Sequence, residues 1–383
     1  MASLSVVIAS DTFKGSASSR QVDDLLAVGI HRVVPNANTI TFPIADGGEG
    51  TMDALVSACG GEVRSVAVSG PLGGAVNAHY ALIDGGDEAV IEMAEASGIT
   101  FIDQSPENAL HASTFGVGQV VLAAIADGAR KVYVGLGGSA TSDGGAGLAK
   151  ALGARFLDES GKGIPCGAIG LGSLASIDAS GLDPRLADVE FVALTDVRNP
   201  LCGADGAVYI YGPQKGLASK DLARVDGWMR HYSEVLLRDV GSDVAALPGA
   251  GAAGGLGAGL VSFCGASIVS GIDFVLQKIE LEKAMTGADL VVTGEGRMDS
   301  QSANGKAPVG VARLAKRHGI PVVAVVGSRA DDLGNVYSQG IDLVIPTVTG
   351  PMTLQECIDR VDVSVPIAGE SCIRAYLLGK ALR

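Results

Sequence analysis

The sequence predicts an α/β protein of two domains, on three observations. Short, continuously apolar runs end in acidic residues, such runs alternate with amphipathic stretches near both termini, and the middle of the chain turns to longer, glycine-dense loops. Runs this short and this apolar suit strands of a parallel sheet buried on both faces. At 383 residues the chain exceeds what one compact core usually holds, so two domains follow.

Taken in order, SVVIAS (5–10) reads as a strand, followed by a loop and a helix over 18–34. Val22, Leu25, Leu26 and Ile30 fall on one face of that helix, at the spacing of a buried stripe. TITFPIA (39–45) is the next strand and 51–58 the next helix. The C-terminal stretch repeats this alternation, with ADLVVTG (288–294) as strand, 309–319 as helix, PVVAVVG (321–327) and IDLVIPTV (341–348) as strands, and a closing helix over 370–382. Such a pattern predicts a doubly wound sheet. Between these ends lie short strands such as AVIEMA (89–94) and KVYVGLG (131–137). The reading is therefore a discontinuous domain of residues 1–60 and 288–383, interrupted by an inserted mixed α/β domain of residues 61–287.

Composition excludes several classes. A net charge of −14 argues against nucleic acid or an anionic membrane as partner, since both demand basic surface. The six cysteines are scattered without a Cys-x-x-Cys pair, as in reduced thiols of a cytoplasmic protein. The first strand begins too early to leave room for a signal peptide. Residues 244–272 carry no charge but are mostly Gly and Ala, which suits a packed loop and helix rather than a bilayer span. The 55 glycines are about twice the usual ~7%, and they point to tight loops against a ligand.

Four predicted strands end at carboxylates: Asp11, Asp46, Asp196 and Glu295. Ligands of open α/β sheets bind beyond the carboxyl ends of the strands, and a charge there needs a partner. A magnesium-dependent, phosphate-handling site accounts for them. Lys14 stands in a turn before a helix start, where amides attract anions. The ADGGEGT segment sets Asp46 and Glu49 among glycines; Glu49 fits a helix cap as well as a ligand. Gly135–Gly147 is a glycine- and hydroxyl-rich loop resembling an anion nest, without the Gly-Lys-Ser/Thr ending of a Walker A loop. Gly137, Gly138, Ser139 and Thr141 are its candidate binding residues. Lys215, in a rigid GPQKG turn, suits a carboxylate or phosphate equally. The 293–308 stretch gathers Glu295, Arg297, Asp299, Gln301 and Lys306; function is favoured for Glu295 and Arg297. A G-x-G-x-x-G at Gly249, Gly251 and Gly254 keeps a nicotinamide-dependent oxidoreductase as a rival, though Pro248 makes the preceding residues a poor strand.

Together DTFKGS, PIADGGEGT, EMAEASG, GGSATSDGGAG, DVRNPL, GPQKG, GAGAAGGLGAGL and GEGRMDSQSANGK resemble, in this order, the bacterial glycerate kinase family over essentially the whole chain. The resemblance implies a flavodoxin-like domain carrying an inserted α/β domain. It also implies ATP and Mg²⁺ as cofactors, and D-glycerate as the small-molecule substrate, phosphorylated at the 2-hydroxyl. A glycerate 3-kinase, a kinase of a related hydroxy acid and a non-catalytic binder are the alternatives. From the demands of phosphoryl transfer, Asp196 and Glu295 are expected to hold Mg²⁺ and Asp46 to orient or deprotonate the substrate hydroxyl. Lys14 and Arg297 neutralise phosphate or the substrate carboxylate, while Gly137, Gly138, Ser139, Thr141 and Lys215 serve the nucleotide. Thr12 and Arg198 depart from residues frequent in the family.

Overall fold

The computed structural model describes residues 4–300, 302 and 306–381. Gln301 and the last residue of the expected closing helix, Leu382, lie outside the described residues. The strands among the described residues are β1 (Ser5–Ser10), β2 (Asn38–Thr41), β3 (Glu62–Ser69), β4 (Ala75–Ile83), β5 (Glu88–Glu92), β6 (Lys131–Gly135), β7 (Arg155–Leu157), β8 (Ser176–Asp178), β9 (Glu190–Leu194), β10 (Ser267–Val269), β11 (Leu290–Met298), β12 (Val322–Arg329) and β13 (Leu343–Pro346). The chain divides into two compact units. The first runs to Asp46, takes in Asp53–Cys59 and resumes at Ile272; the second comprises Gly47–Met52 and Gly60–Gly271.

The first unit holds a sheet in the order β13-β12-β11-β1-β2. All its pairings are parallel. Its central strands are buried along nearly their full length, as the unbroken apolar runs require. The Ser19–Val33 helix begins at a capping box, with Ser18 accepting from the Gln21 N–H and Gln21 reaching back. Its buried face presents Val22, Leu26 and Ile30 to a core with Val6, Ile8, Val292, Val325 and Ile373. Leu25 is only partly buried at the rim of that core. The same helix lies so close to the Val361–Ala381 helix that a Cβ on Gly29 would stand 2.1 Å from the Pro366 carbonyl oxygen. That closing helix is longer than the periodicity predicts because Pro366 is carried inside it. β2 is shorter than predicted and stops at Thr41, two residues before Pro43, which has no N–H to offer a ladder.

The second unit holds a mixed six-stranded sheet, order β10-β9-β6-β5-β4-β3. β5, β6, β9 and β10 are parallel, and β3 and β4 form an antiparallel hairpin at one edge. That hairpin is absent from the sequence reading, because β3 is largely exposed and lacks a continuous apolar run. The uncharged 244–272 stretch becomes the buried Ala252–Cys264 helix and the β10 strand. No helix among the described residues is long and apolar enough to cross a membrane.

Candidate active site

The carboxyl edge of the first sheet gathers acidic groups. β1 and β11 are neighbours, so Ser10 pairs with Gly294 in register and the Asp11 N–H donates to the Gly294 carbonyl at 2.8 Å. Asp11 and Glu295 thus leave adjacent strands side by side. Both are buried, at 9% and 6% exposure. Burial, then the nearby Asp46 charge, push the Asp11 carboxyl up to about 8; the Thr12 N–H and Lys14 oppose this. Burial also pushes Glu295 up to about 7, against a hydrogen bond from Ser302 and the Lys306 charge. Lys306 Nζ stands 4.0 Å from Glu295 Oε2, while Glu295 Oε1 is buried without a hydrogen-bond partner. Asp46 is half-buried and acts electrostatically on both.

Backbone crowding explains the glycines here. A Cβ on Gly294 would lie 2.1 Å from the Val325 carbonyl oxygen, and one on Gly327 2.4 Å from that of Gly296. Lys14 is exposed on a turn closed by the Phe13 N–H donating to the Ala17 carbonyl. The Arg297 side chain is 72% exposed, and its nearest acid is Asp299 at 3.9 Å. Lys14, Asp46, Glu295 and Arg297 therefore share the first unit, the last two on one strand end.

The remaining predicted residues belong to the second unit. Asp196 follows β9, half-buried, and accepts from the Ser270 hydroxyl at 2.6 Å. Lys215 is 2% exposed. Its Nζ donates to Ser139 Oγ and to the Thr141 carbonyl, both at 2.7 Å. Burial pushes this amine down to about 7, with the Asp143 charge opposing. Asp143, fully buried, accepts from the N–H groups of Thr114, Gly145 and Gly147 and from the Thr114 hydroxyl. Burial raises its pKa while those hydrogen bonds oppose the rise. Thr141 Oγ1 donates to the Ala253 carbonyl at 3.3 Å. Of the loop residues singled out in the sequence, Gly138 is exposed and Gly137 half-buried, while Ser139 and Thr141 are buried. The glycines of ADGGEGT that belong to this unit pack on the same strand ends: the Gly137 N–H donates to the Gly47 carbonyl at 3.2 Å.

The G-x-G-x-x-G segment has a structural explanation. A Cβ on Gly251 would meet the Pro200 carbonyl oxygen at 2.2 Å and one on Gly254 that of Thr141 at 1.9 Å. The segment is preceded by turns rather than a strand, so the strand-turn-helix context of a dinucleotide site is missing.

A profile of the glycerate kinase family matches residues 6–377. The chain belongs to that family. It is 44% identical over 357 residues to the glycerate kinase of Halalkalibacterium halodurans, covering 93% of this chain and 94% of that one. It is 44% identical over 353 residues to the glycerate 2-kinase of Escherichia coli, covering 92% and 93%. A crystal structure described as a candidate glycerate kinase 2 from Salmonella typhimurium LT2 superposes with a TM-score of 0.83 at 40% identity, covering 99% of this chain and all of that one, 100%. The protein is thus a kinase of mixed α/β fold.

Several residues at the two regions of this family member are not assigned by sequence reasoning. Asp11 is noticed as a strand-end acid but given no role. Ser19, Asp23 and Asp143 are missed. Asp23 could have been found, because it interrupts the buried stripe of an amphipathic helix beside Val22 and Leu26.

Proposed function

We propose that this chain transfers the γ-phosphoryl group of ATP to the 2-hydroxyl of D-glycerate, giving 2-phosphoglycerate and ADP. The observation that carries the reading, beside family membership, is the trio Asp11, Asp46 and Glu295 at the carboxyl edge of a parallel sheet, two of them titrating near neutrality. Asp46, the most accessible of the three, orients the substrate hydroxyl and takes its proton. Lys14 and Arg297, both exposed cations beside this edge, neutralise phosphate or the glycerate carboxylate, and Lys306 adds a third charge. Gly137 and Gly138 supply accessible backbone to the nucleotide, on a loop that Lys215 braces through Ser139 and Thr141.

The donor chemistry fits Mg²⁺. Glu295 Oε1 is a hard oxygen, buried and unpartnered in the first unit; Asp196, the other carboxylate expected to hold the ion, belongs to the second unit. Among the described residues no group of three or more acidic, His or Cys side chains forms a metal cage. Magnesium held by one or two carboxylates together with nucleotide phosphates needs none. When bound, it neutralises charge on the phosphate oxygens.

The first unit's strand order, with β2 outside β1 and then β11, β12 and β13, supports the flavodoxin-like reading. It also supports treating the second unit as the inserted domain. All six cysteines are free, which supports a cytoplasmic enzyme. The test is an assay with ATP and D-glycerate, with products resolved by phosphorus NMR. Formation of 2-phosphoglycerate with ADP is expected. 3-Phosphoglycerate would move the acceptor to the other hydroxyl, and an absence of ADP would overturn the reading.

A further inference from the structure

The β1–β2 ladder ends in an unusual way, just before the two segments that carry Asp11 and Asp46. Odd-numbered residues of β1 face β11: the Asp289 N–H donates to the Ser5 carbonyl, and the Asp11 N–H to the Gly294 carbonyl. Even-numbered residues face β2: the Asn38 N–H donates to Leu4 at 2.7 Å and the Phe42 N–H to Ile8 at 2.8 Å. The next rung of that series would join the Ile44 N–H to the Ser10 carbonyl. A hydroxyl stands in its place. Ser19 Oγ donates to the Ser10 carbonyl at 2.5 Å and accepts from the Ile44 N–H at 2.9 Å. The other group that Ser10 would offer to β2, its N–H, donates to Asp23 Oδ1 at 3.0 Å.

Buried backbone groups must find partners. Here both backbone groups of Ser10 find them on one helix, in side chains at i and i+4, which lie on the same face. Ser19 and Asp23 are themselves buried, at 5% and 0% exposure. Burying an aspartate is costly, and its second oxygen, Oδ2, has no hydrogen-bond partner. What the pair does geometrically is stop the ladder and insert one hydroxyl between two segments that would otherwise zip together.

We propose that Ser19 and Asp23 are positioning residues of the phosphoryl-transfer site: they hold the Asp11-bearing and Asp46-bearing segments apart by one hydroxyl and so set the separation of the two carboxylates. The inference rests on the proposed roles of those carboxylates. It reaches them only through the Ser10 and Ile44 backbone.

Four tests bear on it. A crystal structure of the unaltered protein is expected to show Ser19 Oγ between the Ser10 carbonyl and the Ile44 N–H; a direct Ile44–Ser10 rung would overturn the proposal without any variant. Ser19→Ala is expected to let that direct rung form and to lower kcat by about 10- to 100-fold, as misplacement of reacting groups does, with KM for ATP and glycerate within about threefold. Ser19→Thr, which restores a hydroxyl, recovers most of the loss. Ser18→Ala, which removes only the helix cap, lowers thermal stability and leaves kcat alone. A wild-type kcat in Ser19→Ala, or an equal loss in Ser18→Ala, overturns the positioning role. Should the unaltered enzyme yield no ADP from glycerate, the functional reading fails, while crystal structures of the unaltered protein and of Ser19→Ala still decide the ladder.

Discussion

The carboxyl edges of the two sheets solve the same problem in opposite ways. In the second unit each buried charge is answered: Asp143 accepts four hydrogen bonds, and Lys215 is tied to Ser139 and Thr141. In the first unit the acids crowd one another. Asp11 feels both Asp46 and Glu295, and Glu295 Oε1 has no partner. Buried polar groups ordinarily pair. The second region is thus internally satisfied, whereas the first keeps a buried carboxylate oxygen without a partner.

The strongest way to break this contrast is at Asp46. Asp46→Asn is expected to lower kcat by about 10²- to 10⁴-fold with the thermal transition unchanged; near-normal turnover would remove Asp46 from the chemistry. Lys215→Met should act the other way. It leaves Ser139 Oγ and the Thr141 carbonyl buried without their donor, at about 1–3 kcal/mol of stability, measured by urea unfolding. A raised KM for ATP with unaltered stability would instead make Lys215 a nucleotide ligand.

Stability against pH sharpens the contrast further. Asp11 and Glu295 hold protons in the folded state up to about 8 and about 7, whereas the unfolded chain loses them near pH 4. The folded state binds more protons in that window, so these two groups make stability fall as pH rises from about 4 to about 8. Lys215 gives the opposite sign. Its folded pKa of about 7 lies below the ordinary 10.5, so the unfolded state binds more protons and stability rises with pH between those values. Denaturant titrations of Asp11→Asn and Lys215→Met across pH 4–10 should each lose the slope of their own window. The smallest effect is expected at Lys14, which is exposed. Lys14→Ala should raise KM for one substrate by about 3- to 10-fold, in line with an exposed cation worth about 1 kcal/mol. Unchanged kinetics would exclude the lysine.

Much of the fold was legible because burial on both faces leaves a mark in the chain. SVVIAS and LVVTG, read as strands, are β1 and the start of β11, paired residue by residue. Val22, Leu26 and Ile30 occupy the core as their spacing requires. The β3–β4 hairpin was not legible, since an exposed edge strand needs no apolar run. Among candidate site residues, strand-end acids could be noticed one by one, but the coupling of Asp11 to Asp46 could not. Lys215 reads from its GPQKG turn as a ligand for an external anion. Only the fold reveals an amine that already makes two hydrogen bonds within the protein.

The chain by itself determined the alternating architecture, the family and the acid that follows β1, because periodicity and motif order are local properties carried by neighbouring residues. Tertiary structure alone decided which polar groups are satisfied and which are left open. A hydrogen bond such as that from Ser19 to Ser10 joins a helix to a strand across a turn, and its worth depends on the water it excludes. The difference between a brace and a site lies in that desolvation, and no single segment of sequence contains it.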